Sequence, residues 1–193
     1  LVGFYRVHSW IWAPSSVGPG ERGAPLTTWR VTALGFGTTP GEVLRVPQSG
    51  YMVHHNPDLT AIITFADEDS ITIHWTREDT SALGYTLHVD GICTDPNLLA
   101  LYRALDGGAR YEYHGRGWWG YSLPALAPQQ PFGAARTNQV VVAISDAGNF
   151  MDPRSCRCWW QIRPGYQGTC PQARWPAPLP GESIAVDVPV SAP

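Results

Sequence analysis

The sequence predicts a mainly β protein: an antiparallel β-sandwich or barrel-like core, one short α-helix at about residues 96–105, and extended N- and C-terminal arms. Three observations carry this. The 20 glycines and 18 prolines cut the chain into many short segments. Between them lie runs in which β-branched and aromatic residues alternate with polar ones, the period of a half-buried strand. A single window repeats apolar residues at helical spacing. Hydrophobic content is 44% over 193 residues, enough for a real core, so composition excludes a disordered chain.

The elements follow in order. Residues 1–26 form an expected arm: "LVGFYRVHSWIW", then a Pro/Gly/Ser stretch. Phe4, Trp10 and Trp12 are its candidates for pairing with a neighbour's sheet. The expected core spans 27–163. "TTWRVTALGFG" and "EVLRVP" read as strands. "TAIITFADEDSITIHWT" reads as a hairpin around the acidic turn Asp67-Glu68-Asp69. In "GYTLHVDGI", Tyr85, Leu87 and Val89 share one face; Thr86, His88 and Asp90 share the other. In "DPNLLALYRALDGG", Asp95 is the expected N-cap, Pro96 sits at N1, and Leu98, Leu101, Tyr102 and Leu105 form the apolar face. Gly107-Gly108 supplies the stop. "RYEYHGRGWWGYSLPAL" is an aromatic, glycine-rich loop, and "APQQPFGAART" leads into the strand "NQVVVAIS". Residues 164–193 are a Pro-rich arm in which Ile184, Val186 and Val188 alternate as a terminal strand. Pro189 confines that strand to an edge.

A net charge of −3 argues against nucleic-acid partners held by phosphate neutralisation. No apolar run is long enough to span a membrane. All 13 basic residues are arginine, so no lysine is present for Schiff-base or isopeptide chemistry. The first residue is Leu1, which reads as a processed end and points to a secreted, extracellular or cell-surface protein. Four cysteines, Cys93, Cys156, Cys158 and Cys170, fit an oxidising compartment and disulfide bonds. A bridge between Cys156 and Cys158 is disfavoured by their single-residue spacer.

Several segments, in order, resemble the lysostaphin-like (LytM-type) peptidoglycan endopeptidases: "LRVPQSGYMV" an early strand, "ITIHWTREDTSALGYTLHV" the central hairpin region, "LAPQQPFGAA" a family turn, and "VVVAISDAGNFMDPR" the closing strand and its exit. The resemblance covers roughly residues 40–155. It implies a β-sandwich whose family members hold catalytic zinc through H-x-x-x-D and H-x-H. Here the closing strand reads Asn138-Gln139-Val140-Val141-Val142, so the H-x-H pair is missing. His54 and Asp58 have H-x-x-x-D spacing, but they follow "VPQSG" and Pro57 interrupts the strand that would orient them.

The chemical candidates are few. His74 and His88, with Asp90 near, are weak zinc candidates on the polar faces of two strands expected to pair; the plainer reading is hydrogen-bonded histidines. The Asp67–Asp69 turn offers carboxylates to calcium or, more simply, to solvent. No nucleophile elbow and no phosphate loop occur. Trp118, Trp119 and Tyr121 are candidates to stack on sugar rings. The expectation is therefore a secreted, non-catalytic structural or interaction protein with no cofactor. It would be a homo-oligomer or polymer forming a filament or coat by strand addition through its arms. An envelope glycan-binding module is the alternative, and a zinc peptidoglycan endopeptidase a third reading.

Overall fold

The computed structural model describes residues 1–11, 21–47, 52–53, 56–77, 80–105, 112–114, 118–120, 123–146 and 149–153. The chain is mainly β, built of antiparallel sheets with one short helix. In chain order the strands are β1 (Gly3–Tyr5), β2 (His8–Ile11), β3 (Glu21–Pro25), β4 (Ala33–Gly37) and β5 (Val43–Arg45). Next come β6 (Ala61–Ala66), β7 (Ser70–Arg77), β8 (Thr80–Asp90), β9 (Ile92–Thr94) and the helix α1 (Pro96–Ala104). The remaining strands are β10 (Glu112–His114), β11 (Trp118–Gly120), β12 (Ala125–Leu126), β13 (Pro131–Ala135), β14 (Gln139–Asp146) and β15 (Asn149–Met151).

The large sheet runs β1-β4-β14-β8-β7-β6-β12, with β15 also paired to β14. It does not close into a barrel: β1 and β12 stand at opposite ends. A three-stranded sheet, β5-β13-β9, forms a second layer. The alternation in β7, β8 and β14 turns Ile71, Ile73, Trp75, Tyr85, Leu87, Val89, Val140, Val142 and Ile144 to the same face. They pack with Val46, Ile92, Phe132 and Ala135 of the second layer and with Leu98, Leu99 and Tyr102 of α1 to form the main core. The opposite face carries a smaller cluster of Val7, Ala33 and Ala143, edged by Tyr5, Leu26, Val141 and Phe150.

Local chemistry fixes the turns. Asp67 Oδ1 accepts from the Asp69 and Ser70 amides at 3.0 and 2.7 Å and from the Ser70 hydroxyl at 2.9 Å, which tightens the β6–β7 turn. Gly91 turns the chain from β8 into β9 with φ at +83°, a region that side chains rarely enter. A Cβ there would also meet the Gln139 carbonyl at 3.1 Å. At Gly35 the need is close approach: the Tyr5 ring lies across it, and Gln139 Nε2 donates to the Tyr5 hydroxyl at 2.7 Å.

Two expectations need correction. The apolar face of α1 is Leu98, Leu99 and Tyr102, while Leu101 is 49% exposed. Leu98 and Leu99 bracket the inward arc with Tyr102 between them, and Leu101 falls outside it at 100° per residue. "PFGAA" is a strand, β13, and not part of a turn. It pairs with both β5 and β9, and Pro131 is tolerated as its first residue, next to a register shift. The N-terminal segment, expected as a β-rich arm, pairs within the chain. β1 pairs with β4, setting Phe4 opposite Leu34, and β2 pairs with β3, setting Trp10 opposite Arg22. Trp12, Ile184, Val186 and Val188 lie outside the described residues, as does the C-terminal arm 164–193. Among the described residues no helix is long and apolar enough to cross a membrane.

Candidate functional site

The second face of the large sheet, away from the main core, gathers the titratable side chains. In β7 and β8 the same tripeptide pattern occurs twice: Thr72-Ile73-His74 and Thr86-Leu87-His88. The strands are antiparallel and register Ile73 against Leu87. Each threonine therefore faces the other strand's histidine. Thr72 Oγ1 lies 3.1 Å from His88 Nδ1, and Thr86 Oγ1 lies 2.8 Å from His74 Nδ1. Thr72 and His74 are buried. The result is a reciprocal Thr–His quartet.

The His88 ring also contacts the Phe150 ring, at a centroid separation of 5.2 Å and a tilt of 37°. Phe150 reaches it from β15 across the small Ala143, which stands beside His88 in β14. Burial pushes His88 down to about 4 from its ordinary value of 6.5, so the imidazole is neutral at pH 7. Two residues along β8, Asp90 opposes Ser70 and accepts from the Gly91 amide at 2.9 Å. Burial raises its carboxyl, Asp69 and Asp67 add to the rise, and the Gly91 amide and Arg136 oppose it.

This arrangement does not gather the zinc candidates. His74 and His88 are diagonal across two strands, each Nδ1 is bonded to a threonine, and Asp90 lies one step further along the face. Among the described residues no three His, Cys, Asp or Glu side chains converge on a point that would hold a metal. His54 lies outside the described residues. Asp58 is in an exposed turn, where its amide donates to Asn56 Oδ1 at 2.9 Å. Val140 and Val142 of the closing strand are buried in the main core.

The carboxylates of the acidic turn are directed to protein donors. Asp67 caps the turn, Glu68 pairs with Arg103 of α1, and Asp69 Oδ2 meets Arg136 Nη1 at 2.9 Å. The Arg103 hydrogen bond is the main reason the Glu68 carboxyl lies below its ordinary range. The turn's backbone is used as well: the Gly91 and Ile92 amides donate to the Asp69 carbonyl, and the Thr94 amide to that of Glu68. These bonds tie the turn to the start of β9.

Of the remaining candidates, Cys93 is an exposed free thiol on β9, opposite Ala134. Cys156, Cys158 and Cys170 lie outside the described residues, and so does Tyr121. The backbones of Trp118 and Trp119 lie in β11 of a two-stranded ribbon, registered against His114 and Tyr113 of β10. The quartet's threonines and Phe150 escaped the sequence reading. The repeated Thr-x-His tripeptide was the signal for the threonines; nothing local to Phe150 marks its contact with His88.

Comparison of the chain with family models, with curated proteins and with solved structures gives no match.

Proposed function

We propose that this chain is a non-catalytic structural or interaction protein, a secreted subunit of an extracellular filament or surface coat. It associates through the β1 edge of its large sheet. The observation that carries this reading is the difference between the two sheet ends. At the β6 end the backbone is engaged: β12 pairs with Ala61 and Ile62, the Ile63 amide donates to the Pro124 carbonyl, and the Tyr102 hydroxyl donates to the Thr64 carbonyl. At the other end β1 is the last described strand, and the residues leading into it are Leu1 and Val2, 43% and 56% exposed. Neither is charged or proline, the usual protections of an edge. Strand addition there joins backbone hydrogen bonds to apolar burial. A neighbour meeting β1 with a different surface makes a head-to-tail contact, which propagates as a filament unless it closes a ring.

Sedimentation and electron microscopy across a concentration series test the reading. The wild-type chain should assemble, and Val2→Lys should remain monomeric with unchanged circular dichroism. A wild-type monomer at every concentration, or a lysine variant that assembles equally well, rejects it.

A second reading, envelope glycan binding, draws on the β10–β11 ribbon, whose register sets Trp119 opposite Tyr113. Trp118→Ala/Trp119→Ala should then lose retention on insoluble peptidoglycan, and unchanged retention excludes those residues as the platform.

A further inference from the structure

Two clusters meet on the second face of the sheet. One is the Thr–His quartet. The other is the small apolar cluster of Val7, Ala33 and Ala143 with Tyr5, Leu26 and Phe150 at its margin. They touch through the His88–Phe150 ring contact. Besides the β1–β4 pairing, the small cluster seats the N-terminal segment: Leu26 N donates to the Val7 carbonyl, and Val7 N donates to Thr32 Oγ1. Its other anchor, β15, is a three-residue strand. Both anchors are short, and Val7 and Phe150 lie on the second face; Met151 of β15 is buried in the main core, so the N-terminal segment is the part with least holding it.

We propose that the quartet is an acid-sensitive latch: when His88 takes up a proton from solvent, Phe150 and the N-terminal segment around Val7 lift from the second face while the main core stays folded. The charge would arise in a place poorly furnished for it. From β7, His88 is faced by Thr72, with His74 diagonal to it. From β14 it is faced by Ala143, with Val141 and Ser145 on either side. From β15 it meets Phe150; Asp146 and Asp152 flank that hairpin. On its own strand the neighbours are Thr86 and Asp90, and Asp90 already accepts from the Gly91 amide. In the N-terminal segment Tyr5 bonds Gln139, His8 Nδ1 lies 2.9 Å from the Gly23 carbonyl, and Arg6 precedes Val7.

The sign follows from linkage. His88 binds its proton more weakly when folded, at about 4, than at the ordinary 6.5. The closed latch is thus at full strength above about 6.5 and weakens as pH falls toward 4, because the open form binds more protons. Asp90 works the other way: its raised carboxyl favours the closed form as pH falls and opposes the His88 contribution. This inference does not depend on the assembly reading.

Hydrogen exchange on the whole chain, corrected for intrinsic rates, tests it between pH 7.5 and 4.5. Protection of residues 3–7 should fall by about tenfold or more at pH 4.5, while the amides of β7 and β8 keep theirs. His88→Asn, which retains a polar partner for Thr72 but does not titrate, should flatten the pH dependence. An NMR titration of the wild-type imidazole needs no variant and should place His88 well below its ordinary range. Equal protection at both pH values, the same acid loss in His88→Asn, or an ordinary His88 titration each overturns the latch.

Discussion

At the scale of single residues, the quartet shows how polar side chains can fix a register. Two Thr-x-His tripeptides on antiparallel strands satisfy one another only when Ile73 stands opposite Leu87. A slip of β7 by one residue would send Thr72 and His74 toward the main core and Ile73 out of it, so the polar pairs and the apolar core select the same register. Cys93 illustrates the same alternation at the margin of the second layer. Its neighbours Ile92 and Thr94 are buried, and its own thiol faces outward, exposed and free. The expectation of a disulfide at Cys93 rests on an even cysteine count, which is compositional and carries no geometry, and the other three cysteines lie outside the described residues. The native chain should therefore react with a thiol reagent at Cys93 in the absence of denaturant, with the label located by peptide mass. Recovery of Cys93 in a disulfide-linked peptide with Cys156, Cys158 or Cys170 would contradict the exposed thiol.

At the scale of elements, legibility follows the range of the interactions. The helix was readable because its determinants are local. Asp95 accepts from the Asn97 and Leu98 amides, both at 3.0 Å, and Pro96 needs no partner at the first turn. The β6–β7 hairpin and the two faces of β8 were equally plain from alternation and turn residues. The pairing of β14 between β4 and β8, and of β13 between β5 and β9, was not readable. Those contacts join segments far apart in sequence, and period alone does not say which strand is whose neighbour. The helix also shows where local reading misleads, since both Leu98 and Leu101 fit an apolar repeat and only Leu98 is buried. Leu98→Ala should lower unfolding free energy by about 2–4 kcal/mol and Leu101→Ala by less than about 0.5. Asp95→Ala should cost about 1 kcal/mol through the lost cap. Urea unfolding of the three variants measures all of these, and equal costs at Leu98 and Leu101 would contradict the burial assigned to α1.

At the scale of the whole molecule, one sheet separates two apolar clusters of unequal size. The main core joins β6, β7, β8 and β14 to the second layer and to α1, so most of the large sheet depends on it. The smaller cluster has three buried members, Val7, Ala33 and Ala143, and only Val7 comes from outside the sheet. A loss in the main core must therefore be felt everywhere, whereas a loss at Val7 can be confined to the segment that Val7 anchors. Ile73 and Val7 are both fully buried, so exposure does not distinguish them, and the difference lies in what each one holds. Ile73→Ala should cost roughly 2–5 kcal/mol and lower hydrogen-exchange protection together across β7, β8 and β14. Val7→Ala removes fewer carbons, should cost roughly 1–3 kcal/mol, and should lower protection in residues 3–7 while β7 and β8 keep wild-type values. If Val7→Ala instead reduced protection evenly over the whole sheet, the two clusters would form one cooperative unit, and the N-terminal segment would be as integral to the fold as β8.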